Sequence, residues 1–113
     1  MYKVFFVIFV SLILNLSVFS AVKTWDGGGI DNNWQTAENW SDNELPDSDD
    51  DLIFPADAAR FSANNNYPFF TNFNSITIEG GNYTISGNSL RLMDELKVSG
   101  GSNIINLGVS LRS

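Results

Sequence analysis

The chain contains no cysteine and no histidine. A Ser-His-Asp triad, a cysteine nucleophile and a zinc site built from His or Cys are therefore excluded within it. Disulfides, the usual reinforcement of a small exported domain, are excluded as well. Bases are scarce, with six Lys and Arg against thirteen Asp and Glu. Ten of those acids fall between Asp26 and Asp57, and no base lies between Lys23 and Arg60. The chain thus lacks the basic footprint that nucleic acid or an anionic membrane surface requires. Nor is there a phosphate loop: Gly27-Gly28-Gly29 and Gly80-Gly81 have no lysine at the right spacing and no helix after them.

The one long apolar run stands at the start. Lys3 supplies a positive charge, residues 4–14 are apolar except for Ser11, and Val18 and Ser20 occupy the −3 and −1 positions of a cut before Ala21. The apolar stretch ending at Phe19 is about 16 residues, shorter than the roughly 20 that a spanning helix needs. The pattern predicts a secretory signal over residues 1–20 rather than a retained anchor. The remainder, residues 21–113, is enough for one small domain. A domain of that size buries only about 60–65% of its unfolded surface. Without disulfides it needs another source of stability, and long ladders with stacked side chains would supply it.

The C-terminal part carries such a pattern. Residues 76–92 read ITIEGGNYTISGNSLRL and residues 96–111 read LKVSGGSNIINLGVSL. Ile76 aligns with Leu96, Ile78 with Val98, Gly80-Gly81 with Gly100-Gly101, and Ile85 with Ile105. With one residue deleted, Leu90 falls on Val109 and Leu92 on Leu111. Alternating apolar residues broken by Gly, Asn and Ser at a fixed period of about twenty residues mark the coils of a β-solenoid. Strands are expected at 75–79, 83–86, 90–93, 95–99, 104–107 and 108–112, three to a triangular coil. A small antiparallel β-sandwich would use the same strands but would not predict the repeat.

Residues 21–72 precede the repeat as a Trp-rich, acidic cap with its first strand, and residues 73–113 supply two coils. Asp51-Leu52-Ile53-Phe54 reads as a strand closed by Pro55. Residues 35–40 suggest one helical turn capped by Asn33 or Thr36. Asn64-Asn65-Asn66 and Tyr67-Pro68 read as loop.

Three features could carry chemistry. The cluster Asp47, Asp49, Asp50 and Asp51 offers oxygen ligands for calcium, although the twelve-residue EF-hand pattern is incomplete. The alternative is a solvated turn entering the strand at Leu52. The same acids do not define the carboxylate pair across a cleft that a glycosidase needs. Trp25, Trp34 and Trp40 either stack on sugar rings, as in a carbohydrate-binding module, or cover the apolar end of the solenoid. Asn39-Trp40-Ser41 and Asn82-Tyr83-Thr84 match the glycosylation triplet, which an Asn-rich chain produces by chance.

The run Trp25-Asp-Gly-Gly-Gly-Ile-Asp-Asn-Asn-Trp34, followed by Ala37-Glu-Asn-Trp40, Leu45-Pro46 and Asp49-Asp-Asp-Leu-Ile-Phe54, resembles the opening of the autotransporter-associated β-strand repeat proteins and related secreted bacterial β-helix proteins. Their typical pattern is W-x-G-G-x-x-x-x-W-x-x-x-x-N-W, then a Pro and G-D-D-x-x-F, with Ser48 here in place of the Gly before the acidic pair. The resemblance covers nearly all of residues 23–110. It implies a right-handed parallel β-helix, secreted or on the bacterial outer surface, with no shared catalytic residues. Members commonly run to many hundreds of residues, so the chain is expected to be the N-terminal piece of such a protein.

The reading is therefore an all-β chain that begins a right-handed parallel β-helix under a Trp-rich N-terminal cap. The expected role is non-enzymatic and structural, with adhesion or surface display as its purpose. Its partners would be further coils, a second copy at the open C-terminal edge, or host and envelope glycans. Two alternatives stand beside it: a small carbohydrate-binding module, and the N-terminal cap of a β-helix polysaccharide-degrading enzyme.

Overall fold

The computed structural model describes residues 20–112. Apart from Ser20, the predicted signal lies outside them, as does Ser113.

Eight strands form: β1 (Val22–Thr24), β2 (Asp51–Phe54), β3 (Ser62–Asn65), β4 (Thr71–Ile78), β5 (Thr84–Gly87), β6 (Leu90–Val98), β7 (Ile104–Asn106) and β8 (Val109–Leu111). They make two sheets, ordered β1-β2-β4-β6-β8 and β3-β5-β7. Every strand pair is parallel, which overturns the antiparallel sandwich. Parallel neighbours need a connection that returns to the starting edge. Here each return is one coil, and the result is an all-β solenoid of about three turns.

The pairing separates into three ladders. One runs through residues 22–24, 51–54, 75–78 and 95–98. The second joins residues 62–65, 84–87 and 104–106, and the third residues 71–73, 90–92 and 109–111. The first and third meet inside β4, where the register shifts between Phe73 and Ser75. That shift is a one-residue insertion in β6, because residues 93 and 94 stand where β4 has only Asn74; the deletion in the repeat falls at another corner, where residues 107 and 108 stand against residues 87–89. Each aligned apolar pair of the repeat is a pair in the ladder: Ile76 with Leu96, Ile78 with Val98, Ile85 with Ile105, Leu90 with Val109 and Leu92 with Leu111.

Side chains alternate between interior and solvent, as a pleated strand requires, except at the register shift in β4, where the buried Phe73 and Ile76 stand three residues apart. Leu52, Phe54, Ala63, Phe73, Ile76, Ile78, Ile85, Leu90 and Leu92 form the interior. Burial declines toward the C-terminal end: Leu90 and Leu92 are enclosed, Val109 is half-buried, and Leu111 is 57% exposed. Each rung is covered by the next, and none of the described residues covers the last.

Three local expectations change. The strands expected at 90–93 and 95–99 run together as the single strand β6. Asn64 and Asn65 belong to β3, not to a loop. Their amides serve as ties between coils: Asn64 donates to Asn33 Oδ1 (3.0 Å), and Asn65 donates to the carbonyl of Asn88 (2.8 Å) while accepting from the Tyr67 amide. The helical turn shrinks to a 3₁₀ turn over Ala37–Asn39, with Thr36 at its start and no side-chain capping bond.

Candidate functional site

The chemistry suggested by the sequence gathers at the N-terminal end of the stack. Phe54, the last residue of β2, is the hub. Its ring centroid lies 5.9 Å from Trp25, 5.5 Å from Trp34, 5.9 Å from Trp40 and 5.6 Å from Tyr83. Trp25 and Trp34 each meet Trp40 edge-on. Tilted and edge-to-face pairs of this kind contribute about 0.5–1.5 kcal/mol each beyond area burial. All three tryptophans have zero exposure. Stacking on a sugar needs a free ring face, so the carbohydrate-stacking role of Trp25, Trp34 and Trp40 is withdrawn.

The segment carrying Trp40 also covers the outer edge of β1. Ser41 donates its amide to the Thr24 carbonyl (2.8 Å), Trp40 bridges Trp25 in antiparallel fashion, and Asp26 and Gly27 donate to the Asn39 carbonyl. An edge strand is thereby closed against further pairing.

Arg60, to which the sequence pattern assigns no role, and Asn39 hold this cover together. Arg60 reaches back to the Trp25-Asp-Gly-Gly-Gly loop. Its Nη1 donates to the carbonyls of Gly27 (3.2 Å), Gly29 (2.8 Å) and Asp31 (2.5 Å). A Cβ on Gly27 would collide with Arg60, and Gly27 also has a φ of 64°, so glycine is required there. Asn39 is fully buried. Its amide donates to the Asp31 and Asn33 carbonyls, and its Oδ1 accepts from the Gly29 amide (2.8 Å). With every polar atom engaged inside the fold, Asn39 is no glycan acceptor. The one signal for Arg60 is its position as the first base after the acidic stretch.

Lys23 points inward from β1, above Leu52. Its amine donates to Asp42 (2.6 Å) and Glu44 (3.4 Å). The bond to Asp42 holds the amine above the ordinary lysine range, and the same bond holds the Asp42 carboxyl below the usual carboxylate range. A buried ammonium is tolerable because it is paired.

The acidic cluster does not converge. Asp50 turns inward and is 3% exposed. Its two oxygens accept the amides of Ala21 and Asp47, each at 2.8 Å. Asp51 accepts from Asn74 Nδ2 (2.7 Å) and Ser75 Oγ (2.6 Å). Asp47 and Asp49 face solvent. Among the described residues no group of three or more acids could hold a metal ion, so the calcium site proposed for Asp47, Asp49, Asp50 and Asp51 is withdrawn. Asp49 has a φ of 73°, a left-handed conformation in which glycine is least strained.

The opposite end is bare. Val98 is 47%, Ile104 61% and Leu111 57% exposed, and Leu96, Ile105, Leu107 and Val109 are only partly covered. The outer edges of β7 and β8 have no strand partner among the described residues. Beside this end, on the outer face of the third ladder, lies a groove lined by Asn72, Arg91, Met93, Ser110, Leu111 and Arg112. It holds two guanidinium groups and no carboxylate. Comparison with protein-family models, with curated proteins and with solved structures finds no match to this chain.

Proposed function

We propose that the protein is an exported, non-enzymatic structural protein, the amino-terminal end of an adhesin-like β-solenoid that displays its outward side chains at the cell surface. The observation that carries this reading is the inequality of the two ends. The N-terminal end is covered by Trp25, Trp34, Trp40 and the strand-like segment around Ser41. The C-terminal end offers bare strand edges and an exposed apolar rung. A stack closed at one end and open at the other is a start piece: it fixes where coils begin and templates the coil placed on it. That next coil comes from further chain or from a second copy.

The pattern of residues 1–20 supports export, and the absence of cysteine suits a domain stabilised by ladders instead of disulfides. The test is labelling of intact producing cells with an antibody against the protein, with lysed cells as control. Surface labelling of intact cells is expected. Signal that appears only after lysis would overturn the reading.

A further inference from the structure

We infer that hydrolysis of the Ser20–Ala21 peptide bond creates the counter-ion of the buried Asp50 carboxylate. The inference rests on the export reading above and adds a processing site with a structural consequence.

Asp50 is buried, yet no cation reaches it among the described residues; the ion pairs there are those of Lys23 with Asp42 and Glu44. A buried carboxylate held only by neutral amides is costly. One of those amides belongs to Ala21, whose nitrogen donates to Asp50 Oδ1 at 2.8 Å across a sequence separation of 29 residues. Ala21 is also the residue that would become first after a cut governed by Val18 and Ser20. Two independent observations, a cleavage pattern and a contact with a buried acid, therefore select the same nitrogen.

The chemistry balances simply. A signal-type peptidase adds water across the bond. Ser20 leaves with a new carboxylate, and the Ala21 nitrogen keeps the bonding pair and gains protons. The α-amino group that results has an ordinary pKa of about 7.7–8.0, so at neutral pH it is largely an ammonium. It does not have to move. The Ala21 carbonyl accepts the Asp51 amide at 2.9 Å, which fixes the residue at the head of the first ladder. A neutral hydrogen bond thus becomes a charge-assisted one, and the mature fold is more stable than the unprocessed one.

The experiment uses the full chain expressed in an exporting bacterium. A second version carries Gly-Ser inserted between Ser20 and Ala21. It keeps the −3 and −1 residues but leaves the new amine two residues away from Ala21. Both are combined with Asp50→Asn. Mass spectrometry of the exported products reads the cut, and urea denaturation reads stability. The native product is expected to begin at Ala21 and to have a folded-to-unfolded ratio about tenfold above that of the insertion product, with the difference vanishing in Asp50→Asn. If Asp50→Asn does not fold, the rate of α-amine acylation replaces it, and slower acylation of the native product than of the insertion product is expected. Equal stability and equal acylation would overturn the inference. A surface-exposed product beginning elsewhere would overturn it while leaving the proposed function intact. No exported product at all would overturn both.

Discussion

The indole N–H of Trp25 donates to the backbone carbonyl of Arg60 at 2.9 Å, while the Arg60 guanidinium returns across the loop after Trp25 to bind the Gly27, Gly29 and Asp31 carbonyls. The two residues are 35 positions apart, and each secures the other's segment. One segment brings the tryptophans to the end of the stack, and the other leads into β3.

Arg60→Ala would leave the Gly27 and Gly29 carbonyls without their donor, the Asp31 carbonyl keeping Asn39 Nδ2, and open a gap beneath the glycine loop. Hydrogen bonds to a charged group contribute about 1.5–3 kcal/mol, and a loss in the upper part of that range is expected from urea denaturation. Tryptophan emission is the local readout. In the native protein it should be blue-shifted and unchanged by added sugars, since all three rings are buried. In Arg60→Ala it should shift to the red before the coils unfold. Quenching of the native protein by a glycan would count against the enclosed cap.

The coils were legible in the sequence and the site was not, for a physical reason. In a parallel stack, residue pairs in the ladder are also pairs in the repeat, so Ile76 and Leu96, or Leu90 and Val109, announce their contact by alignment alone. The cap has no such internal copy. Arg60 grips Gly29, and Asp50 receives Ala21, through contacts that no periodicity marks. The asparagines of β3 were hidden in another way. Their composition signals a turn, but stacking gives Asn64 and Asn65 partners in neighbouring coils, and this overrides the local preference. For the tryptophans, composition could not distinguish a binding face from a buried lid. Their packing around Phe54 decides it.

Gly100 and Gly101 offer a controlled comparison of backbone strain with steric exclusion. Their φ angles are 74° and 72°, nearly the same left-handed conformation. A Cβ at Gly100 meets nothing closer than 4.0 Å, whereas one at Gly101 would collide with the backbone of Gly81 in the coil below. Gly100→Ala should therefore cost only the left-handed penalty, about 1–2 kcal/mol. Gly101→Ala should cost more, because the coils must separate to admit the methyl group. Urea denaturation of the two variants tests this ordering. Equal losses would mean that the corner of the second coil does not rest on the first.

Alkaline pH should weaken the fold through its buried phenols. Tyr67 donates its hydroxyl to the Pro46 carbonyl and Tyr83 to the Pro55 carbonyl, each at 2.6 Å. Burial, with a smaller contribution from nearby carboxylates, pushes Tyr67 up to about 12 and Tyr83 higher still. An unfolded tyrosine loses its proton near pH 10. Above that pH the unfolded chain releases protons that the folded chain retains, so stability that is fully present below about pH 10 declines as pH rises toward the folded values. Lys23 acts in the same direction, because its raised pKa keeps a proton that the unfolded lysine gives up. The expected result is a stability profile insensitive to these three groups at neutral pH and falling steadily above about pH 10. Tyr67→Phe should cost about 1 kcal/mol at neutral pH from the lost hydrogen bond, and its alkaline decline should be shallower than that of the native protein. Phenolate absorbance near pH 10 in the folded protein, assigned by comparison with Tyr67→Phe, would show that the hydroxyl of Tyr67 is not held inside the stack.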